Sequence, residues 1–123
     1  MRNDEKMMLT SITIIRTSVT RDVIQRVAKQ TFGDFAKAVV DLGRNVMAIG
    51  GELHADCEEV LLADGSDQKN LWGINLYPAQ EGDDWLQFDS MINIRPSQGN
   101  RSRNVEDAAT QEKIRSVVTG LVV

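Results

Sequence analysis

Residues 89–103, Asp-Ser-Met-Ile-Asn-Ile-Arg-Pro-Ser-Gln-Gly-Asn-Arg-Ser-Arg, separate the strand-forming part of the chain from its last helix. The first residues of the stretch continue an alternation of apolar and polar side chains, which is typical of a strand with one buried face. Pro96 and Gly99 then favour a loop, because Pro cannot donate to a strand ladder and Gly tolerates unusual backbone angles. The stretch therefore predicts a strand, a polar loop and a helix, in that order.

The loop between Arg95 and Arg103 has three arginines and no acidic residue, a composition that favours an anion. Each guanidinium can bind two oxygens of a phosphate or carboxylate at once, and a helix that begins at Asn104 would add unpaired backbone N–H groups. The alternative is a solvated turn whose arginines pair with neighbouring acids. The expected ligand-binding residues are Asn93, Arg95, Gln98, Asn100, Arg101 and Arg103.

The segments before the loop alternate between strand and helix patterns. Thr20 is a plausible cap for a first helix that ends before Gly33, and Gly43 is expected to supply the special backbone angle of a hairpin turn. In the strand ending at Ile94, the even-numbered positions from Leu86 are mostly apolar and the odd-numbered ones polar, which predicts one core face and one polar face. The predicted strands are residues 9–16, 35–41, 45–51, 71–77 and 85–94, and the predicted helices are residues 20–32, 55–62 and 104–122.

This order, β-α-β-β-α-β-β-α, predicts an α+β domain with a mainly antiparallel sheet and with its helices packed on one face. A chain of 123 residues with 41% hydrophobic content is long enough for one core and too short for two ordinary domains. We expect residues 1–7 to form a flexible N-terminal extension and residues 8–123 to form the domain.

Charge and cysteine content narrow the function classes. The net charge of -4 does not favour a general nucleic-acid surface, so a nucleic-acid partner is kept only as an alternative. Residues 52–89 hold ten acidic and one basic side chain, which could line a cleft beside the arginine loop or keep an outer face soluble. Cys57 has no partner cysteine, and no apolar run could span a bilayer, so we expect a cytoplasmic protein without a membrane contact.

Glu52, His54 and Asp56 alternate along the chain, and in an extended segment they would share one side. We expect no metal, but these three residues are the alternative if one binds. The candidate catalytic residues are His54, Glu52 and Asp89, because histidine titrates near neutral pH and carboxylates can assist it. The other interpretation of His54 is structural, with one hydrogen bond near a strand end.

Three strings resemble a small prokaryotic family known only as a domain of unknown function. They are Gly-Gly-Glu-Leu-His-Ala-Asp at 50–56, Leu-Trp-Gly-Ile-Asn-Leu-Tyr-Pro at 71–78, and Phe88 through Arg103. The resemblance extends from about residue 8 to the end. It implies a stand-alone cytosolic domain without an established activity, and it carries no catalytic residues over.

The main functional hypothesis is binding of a phosphate- or carboxylate-bearing small molecule by the Arg95–Arg103 loop, with hydrolase or transferase activity as an extension. The alternative is a non-enzymatic module that binds a protein or RNA through the same loop. No cofactor is expected. A homodimer is also considered, because a small sheet with an uncovered face often finds a partner.

Overall fold

Five strands and three α-helices occur in residues 12–123, the part of the chain that the computed structural model describes. Their order is the predicted one, and the α+β class is confirmed. The first predicted strand appears as its residues 13–15, while the N-terminal extension 1–7 and residues 8–11 lie outside the described part. The elements are β1 (Thr13–Ile15), α1 (Arg21–Gln30), β2 (Ala36–Asp41), β3 (Val46–Ile49), α2 (His54–Ala63), β4 (Leu71–Leu76), β5 (Leu86–Gln87) and α3 (Ala108–Leu121).

The five strands form one antiparallel sheet in the order β1-β3-β2-β4-β5. The longest strands, β2 and β4, are neighbours near the middle, and the two edge strands are only three and two residues long. Short edges limit pairing with other chains, because few main-chain groups stay unpaired. No helix within residues 12–123 is long and apolar enough to cross a bilayer.

Helices cover both faces of the sheet. On one face, Ala38 and Val40 pack with Ile24 of α1 and Ile114 of α3. On the other face, Val39 packs with residues of α2, among them Cys57 and Leu61. The prediction that all helices pack on one face is therefore wrong for α2. The physical reason is that the central strands are apolar at both parities, so each side needs cover from water.

The β2–β3 turn is held by the fully buried carboxylate of Asp41. Its Oδ1 accepts hydrogen bonds from the backbone N–H groups of Gly43 at 2.8 Å and Arg44 at 3.0 Å, and its Oδ2 accepts one from Ser66 at 2.6 Å. Asn45, with φ of 56°, takes the left-handed conformation in this turn. The expectation that Gly43 would do so is wrong; asparagine tolerates that region better than other side chains.

The strand predicted for residues 85–94 ends at Gln87. Met91–Asn93 forms a short 3₁₀ turn instead, and Ser90 caps it by accepting a hydrogen bond from the N–H of Ile92. The buried side chain of Asn93 takes over the pairing with β4, because it accepts from the N–H of Gly73 at 2.8 Å and donates to its carbonyl at 3.0 Å. A side-chain amide thus replaces a strand residue along this edge.

The last helix begins later than predicted. Asp107 caps α3 by accepting a hydrogen bond from the N–H of Thr110 at 2.9 Å, and Asn104 lies outside the helix. The arginine loop therefore does not run directly into a helix start. The expected contribution of a helix dipole to an anion at this loop is wrong for the same reason.

Candidate functional site

A cleft of about 470 Å³ lies on the α2 face of the sheet, between the start of α2, β2 and β4, and the segment 89–92. We call it the His54 cleft. Lys37 of β2 and Asn75 of β4 are directly paired in the sheet register, so their side chains lie next to each other on this face. The lining residues are Phe35, Lys37, Leu53, His54, Ala55, Asn75, Tyr77, Asp89, Ser90, Met91, Ile92 and Arg103.

His54 is the first residue of α2, and its side chain is buried against β4. Its Nε2 lies 2.8 Å from the carbonyl oxygen of Ile74. Because a carbonyl can only accept, Nε2 must carry the proton, and in the neutral ring Nδ1 then holds a lone pair. Burial lowers the pKa of His54, although the bond to Ile74 acts in the opposite direction. The imidazole is therefore neutral near pH 7 and can accept a proton.

Two cations line the cleft. Lys37 Nζ lies 4.8 Å from the ring centroid of Phe32, and within residues 12–123 Lys37 forms no ion pair. Arg103 Nε donates to Asp89 Oδ1 at 2.7 Å, and both side chains are more than half exposed. An exposed pair of this kind contributes about 0–1 kcal/mol, so a ligand can displace it at little cost.

Main-chain contacts bring Arg103 to the cleft. The carbonyl of Arg103 accepts hydrogen bonds from the N–H of Ser90 at 3.1 Å and from Asn93 Nδ2 at 3.1 Å. Asn93 is in turn fixed to Gly73 of β4. The Asn93 amide, which pairs with β4 in place of a strand, thus also places Arg103 beside Asp89.

Asn75 carries a buried oxygen without a hydrogen bond. The residue is 7% exposed, and its Nδ2 donates to the carbonyl of Asp89 at 3.0 Å. Its Oδ1 has no partner among the described residues. An unpaired buried acceptor costs about 1–3 kcal/mol, so the rest of the fold must hold this oxygen in place.

The structure does not bring Arg95 and Gln98 to the cleft. Arg95 donates to the carbonyls of Gln68, at 2.7 Å, and Leu71, and its guanidinium lies 4.4 Å from the ring centroid of Trp72. Gln98 Nε2 donates to the carbonyl of Lys69 at 3.1 Å. Both side chains hold the loop against the chain before β4. Burial lowers the pKa of Arg95.

Asn93 and Asn100 are likewise used within the fold. Asn100 Nδ2 donates to three main-chain carbonyls, and its Oδ1 accepts from the N–H of Glu106 at 2.8 Å. Arg101 is exposed and does not line the cleft. Of the three arginines of the loop, only Arg103 lines the cleft with His54.

The alternation of Glu52, His54 and Asp56 has no counterpart in the structure, because the helix begins at His54 and turns the following side chains away from one another. Glu52 is exposed and lines a neighbouring depression with Lys37 and Leu53. Within residues 12–123, no three His, Cys, Asp or Glu side chains are placed to hold a metal ion. Of the candidate catalytic residues, the structure brings Asp89 together with His54 and leaves Glu52 outside.

A thiol nucleophile is disfavoured in this part of the fold. Cys57 is fully buried in the α2 face, and burial raises the pKa of its thiol to about 11. The protonated thiol is a poor nucleophile. The chemistry of the cleft therefore falls to His54 and the charged side chains around it.

A family profile matches residues 13–121 of the chain. The chain belongs to that family, Protein of unknown function (DUF5674). The match agrees with the resemblance carried by the three sequence strings. Neither the comparison with curated proteins nor the comparison with solved structures found a similar protein. For this DUF5674 chain, function must be argued from the cleft itself.

Sequence reasoning missed Lys37, Phe35 and Tyr77 as members of the site. The signal for Lys37 was present, because it is the one charged residue inside an otherwise apolar run, at the parity opposite Ala36 and Ala38. The signal for Tyr77 lay in tertiary structure, where its ring stacks on that of Phe35 with centroids 5.1 Å apart. The alternation of faces along a strand can identify a residue such as Lys37, but it cannot identify one such as Tyr77, whose partner is distant in the sequence.

Proposed function

We propose that this protein binds a small molecule bearing a phosphate or carboxylate group in the His54 cleft. The observation that carries the proposal is that Lys37 and Arg103, which are 66 positions apart in the sequence, line one cleft with the only histidine. Two cations that line one concave surface are suited to an anion. The proposal moves the ligand from the arginine loop to the sheet face, and of that loop it keeps only Arg103.

The anion would bind by exchanging partners with Asp89. Within residues 12–123 the bond to Asp89 uses Nε of Arg103 and leaves its two terminal nitrogens to the incoming anion, so the exchange can begin before Asp89 leaves. Because the Arg103–Asp89 pair is exposed, water already weakens the attraction between its two charges. An anion that binds both Arg103 and Lys37 therefore competes well with Asp89, which binds Arg103 alone.

Hydrolase or transferase activity is an extension of this proposal. His54 Nδ1, with its lone pair, would take a proton from a nucleophile, and Lys37 and Arg103 would hold the negative charge of the substrate. Asp89 lines the same cleft and could also accept a proton, but it forms an ion pair with Arg103 until a ligand displaces it. Binding is the part of the proposal that can be tested without knowledge of the reaction.

Thermal unfolding with inorganic phosphate and with succinate tests binding. A ligand at about 100 times its Kd stabilises by about 2.7 kcal/mol. In a domain of this size that raises Tm by more than about 5 °C. We expect such a rise with at least one of the two anions, and we expect Lys37→Gln or Arg103→Gln to remove it.

Arg101→Gln is the matched control, since it removes the same charge from an exposed side chain outside the cleft. It should keep the wild-type response. If neither anion raises Tm, or if Arg101→Gln removes the response as fully as Arg103→Gln, the proposal is wrong.

The alternative is a module that binds RNA or a protein through residues 95–103, and the exposure of Arg101 favours it. RNA binding would weaken steeply with salt and would be sensitive to Arg101→Gln. A homodimer and a cytoplasmic location stay predictions. The packing of α2 on the second sheet face removes part of the reason for a dimer, and light scattering of the purified protein tests it.

A further inference from the structure

Aromatic rings line one part of the His54 cleft. Phe35 directly precedes β2 and Tyr77 directly follows β4, and the register of these two strands places the residues opposite each other. Their rings stack with centroids 5.1 Å apart. Phe32 also stacks on Phe35, with centroids 4.8 Å apart. We call these three rings the aromatic stack, and Phe35 is its middle member.

The two ends of the aromatic stack differ. At one end, Lys37 Nζ lies over the ring of Phe32, 4.8 Å from its centroid. At the other end, Tyr77 is partly exposed and lines the cleft. Among residues 12–123, Tyr77 stacks on Phe35 alone. The end at Tyr77 is therefore the place where a further ring can join the stack.

One row of the sheet separates the rings from the cation. Lys37 is two residues after Phe35, so the two side chains leave the same sheet face about 7 Å apart along the strand. An inorganic phosphate or an acetate beside Lys37 spans only part of this distance. The cleft, at about 470 Å³, has a volume typical of small-molecule sites, which hold about 300–1,000 Å³. A ligand that fills the cleft therefore has a body in addition to its anionic group.

Exposed apolar side chains are concentrated around the same cleft. Within residues 12–123, six large hydrophobic residues are exposed, and two of them, Leu53 and Met91, line the His54 cleft. A third, Phe32, lines the adjoining depression, to which Leu53 also belongs. Apolar surface that collects at one concave place is typical of a binding site, whereas single exposed residues are not. The body of the ligand is therefore expected to be apolar.

We infer that the ligand carries an aromatic ring as well as its anionic group: the anion binds Lys37 and Arg103, and the ring packs against the aromatic stack at Tyr77. Aryl phosphates, aromatic carboxylates and 5′-mononucleotides are the chemical classes that fit. A ring is favoured over an aliphatic group, because a pair of aromatic rings attracts beyond the burial of its area. This inference rests on the proposed anion site and adds the body of the ligand.

Calorimetric titration of the full chain with methyl, cyclohexyl and phenyl phosphate separates the contributions. At pH 8 these monoesters are dianions, since their second pKa is about 6. Cyclohexyl against methyl phosphate measures the apolar body, and phenyl against cyclohexyl phosphate measures the aromatic ring. Benzyl and cyclohexylmethyl phosphate place the ring one bond farther from the anion. Acetate, 3-cyclohexylpropionate and 3-phenylpropionate form the carboxylate series, and ribose 5-phosphate against adenosine 5′-monophosphate tests a nucleotide base as the ring.

In at least one series we expect the aromatic member to bind about tenfold or more tighter than the member without a ring, through burial of its apolar area. We expect it to bind about threefold or more tighter than the cyclohexyl member of equal length, through ring stacking.

Tyr77→Leu should remove the preference for phenyl over cyclohexyl phosphate, because it replaces the ring by an aliphatic side chain. It should leave the Kd of methyl phosphate within about twofold, since that anion does not touch Tyr77. Tyr77→Phe is the matched control. It keeps the ring and loses only the hydroxyl, so it should keep the preference.

Leu53→Ala should weaken binding of phenyl and cyclohexyl phosphate alike, because the apolar wall of the cleft becomes smaller. Leu62→Ala is the matched control, since Leu62 is an exposed leucine of α2 that does not line the cleft. It should leave the Kd of both compounds within about twofold.

The outcomes distinguish this inference from the proposal on which it rests. If phosphates bind in a way that depends on Lys37 and Arg103 while no ring improves binding, the aromatic ligand is wrong and the anion site stands. If the cyclohexyl compounds bind as tightly as the aromatic ones throughout, or if Tyr77→Leu keeps the preference, the inference is again wrong. If no phosphate or carboxylate binds, both fail.

Discussion

His54 is the residue on which proton chemistry in the cleft depends, and it is the only histidine of the chain. Burial lowers its pKa from the ordinary value of 6.5. An NMR titration of the imidazole, free of overlap because no other histidine exists, should therefore show a midpoint below 6.5. A midpoint at or above 6.5 would contradict a neutral buried ring.

The same shift makes stability depend on pH in a defined direction. In the unfolded chain His54 binds a proton below about pH 6.5, while in the folded protein it resists protonation until a lower pH. Its contribution to stability is therefore complete above the unfolded pKa and is lost as pH falls below it. His54→Gln should flatten the change in the free energy of unfolding between pH 7 and pH 5.

Asn93 shows how a single side chain can replace a strand. Asn93→Ala would leave the buried N–H and carbonyl of Gly73 unpaired, and each unpaired group costs about 1–3 kcal/mol. We expect a loss of about 2–5 kcal/mol in the free energy of unfolding, measured by denaturant titration.

Asn104→Ala is the control for that measurement, since the Asn104 side chain is exposed and makes no hydrogen bond within residues 12–123. It should cost less than about 0.5 kcal/mol. Equal effects of the two substitutions would show that the amide pairing with Gly73 does not stabilise the fold.

At the scale of elements, the order of strands and helices followed from hydrophobic periodicity, while the end of β5 did not. The alternation from Leu86 to Ile94 satisfies the pattern of a strand, but in the structure Ile94 is exposed and Asn93 is buried, which is the reverse of that pattern. Ser90 and Asn93 instead use their side chains for local and cross-sheet hydrogen bonds, which a pattern of apolar positions does not register. The start of α3 was placed too early in the sequence prediction. Asn104 and Asp107 both belong to residue types that commonly cap helices, and the sequence alone does not show which of them does so.

Close approach of the segment 89–93 to β4 requires a glycine at position 73. A Cβ on Gly73 would lie 2.6 Å from both Cβ and Oγ of Ser90. Gly73→Ala should therefore displace the segment that carries Asp89 and cost about 1–3 kcal/mol in the free energy of unfolding.

Gly120→Ala is the matched substitution, because a Cβ at that position of α3 meets no atom within 4 Å. In a helix it should be neutral or stabilise by up to about 1 kcal/mol. Calorimetric Tm values for both variants test the contrast. Equal Tm values would mean that the Ser90 contact is not tight.

At the scale of the whole molecule, the sequence predicted which residues share a strand face. It did not predict which helix covers each face or which side chains come together in the cleft. Asp89 and Arg103 were candidates and do lie beside His54, whereas Arg95, Gln98, Asn93 and Asn100 bond to main-chain atoms. Composition marks polar side chains that can bind a ligand, but the loop main chain needs the same groups, and only the fold decides between the two uses. Lys37 and Asn75 became site residues because helix α2 covers the side of the sheet that the one-face prediction left open.

The most direct test of the His54 cleft as an anion site is a ¹H–¹⁵N NMR titration with inorganic phosphate. We expect the largest shift changes at Lys37, His54, Asn75 and Arg103, which come together only in the folded sheet, and little change at Arg95 and Arg101. Changes centred on residues 95–101 with Lys37 and His54 unaffected, or no saturable change at all, would contradict the cleft as the binding site.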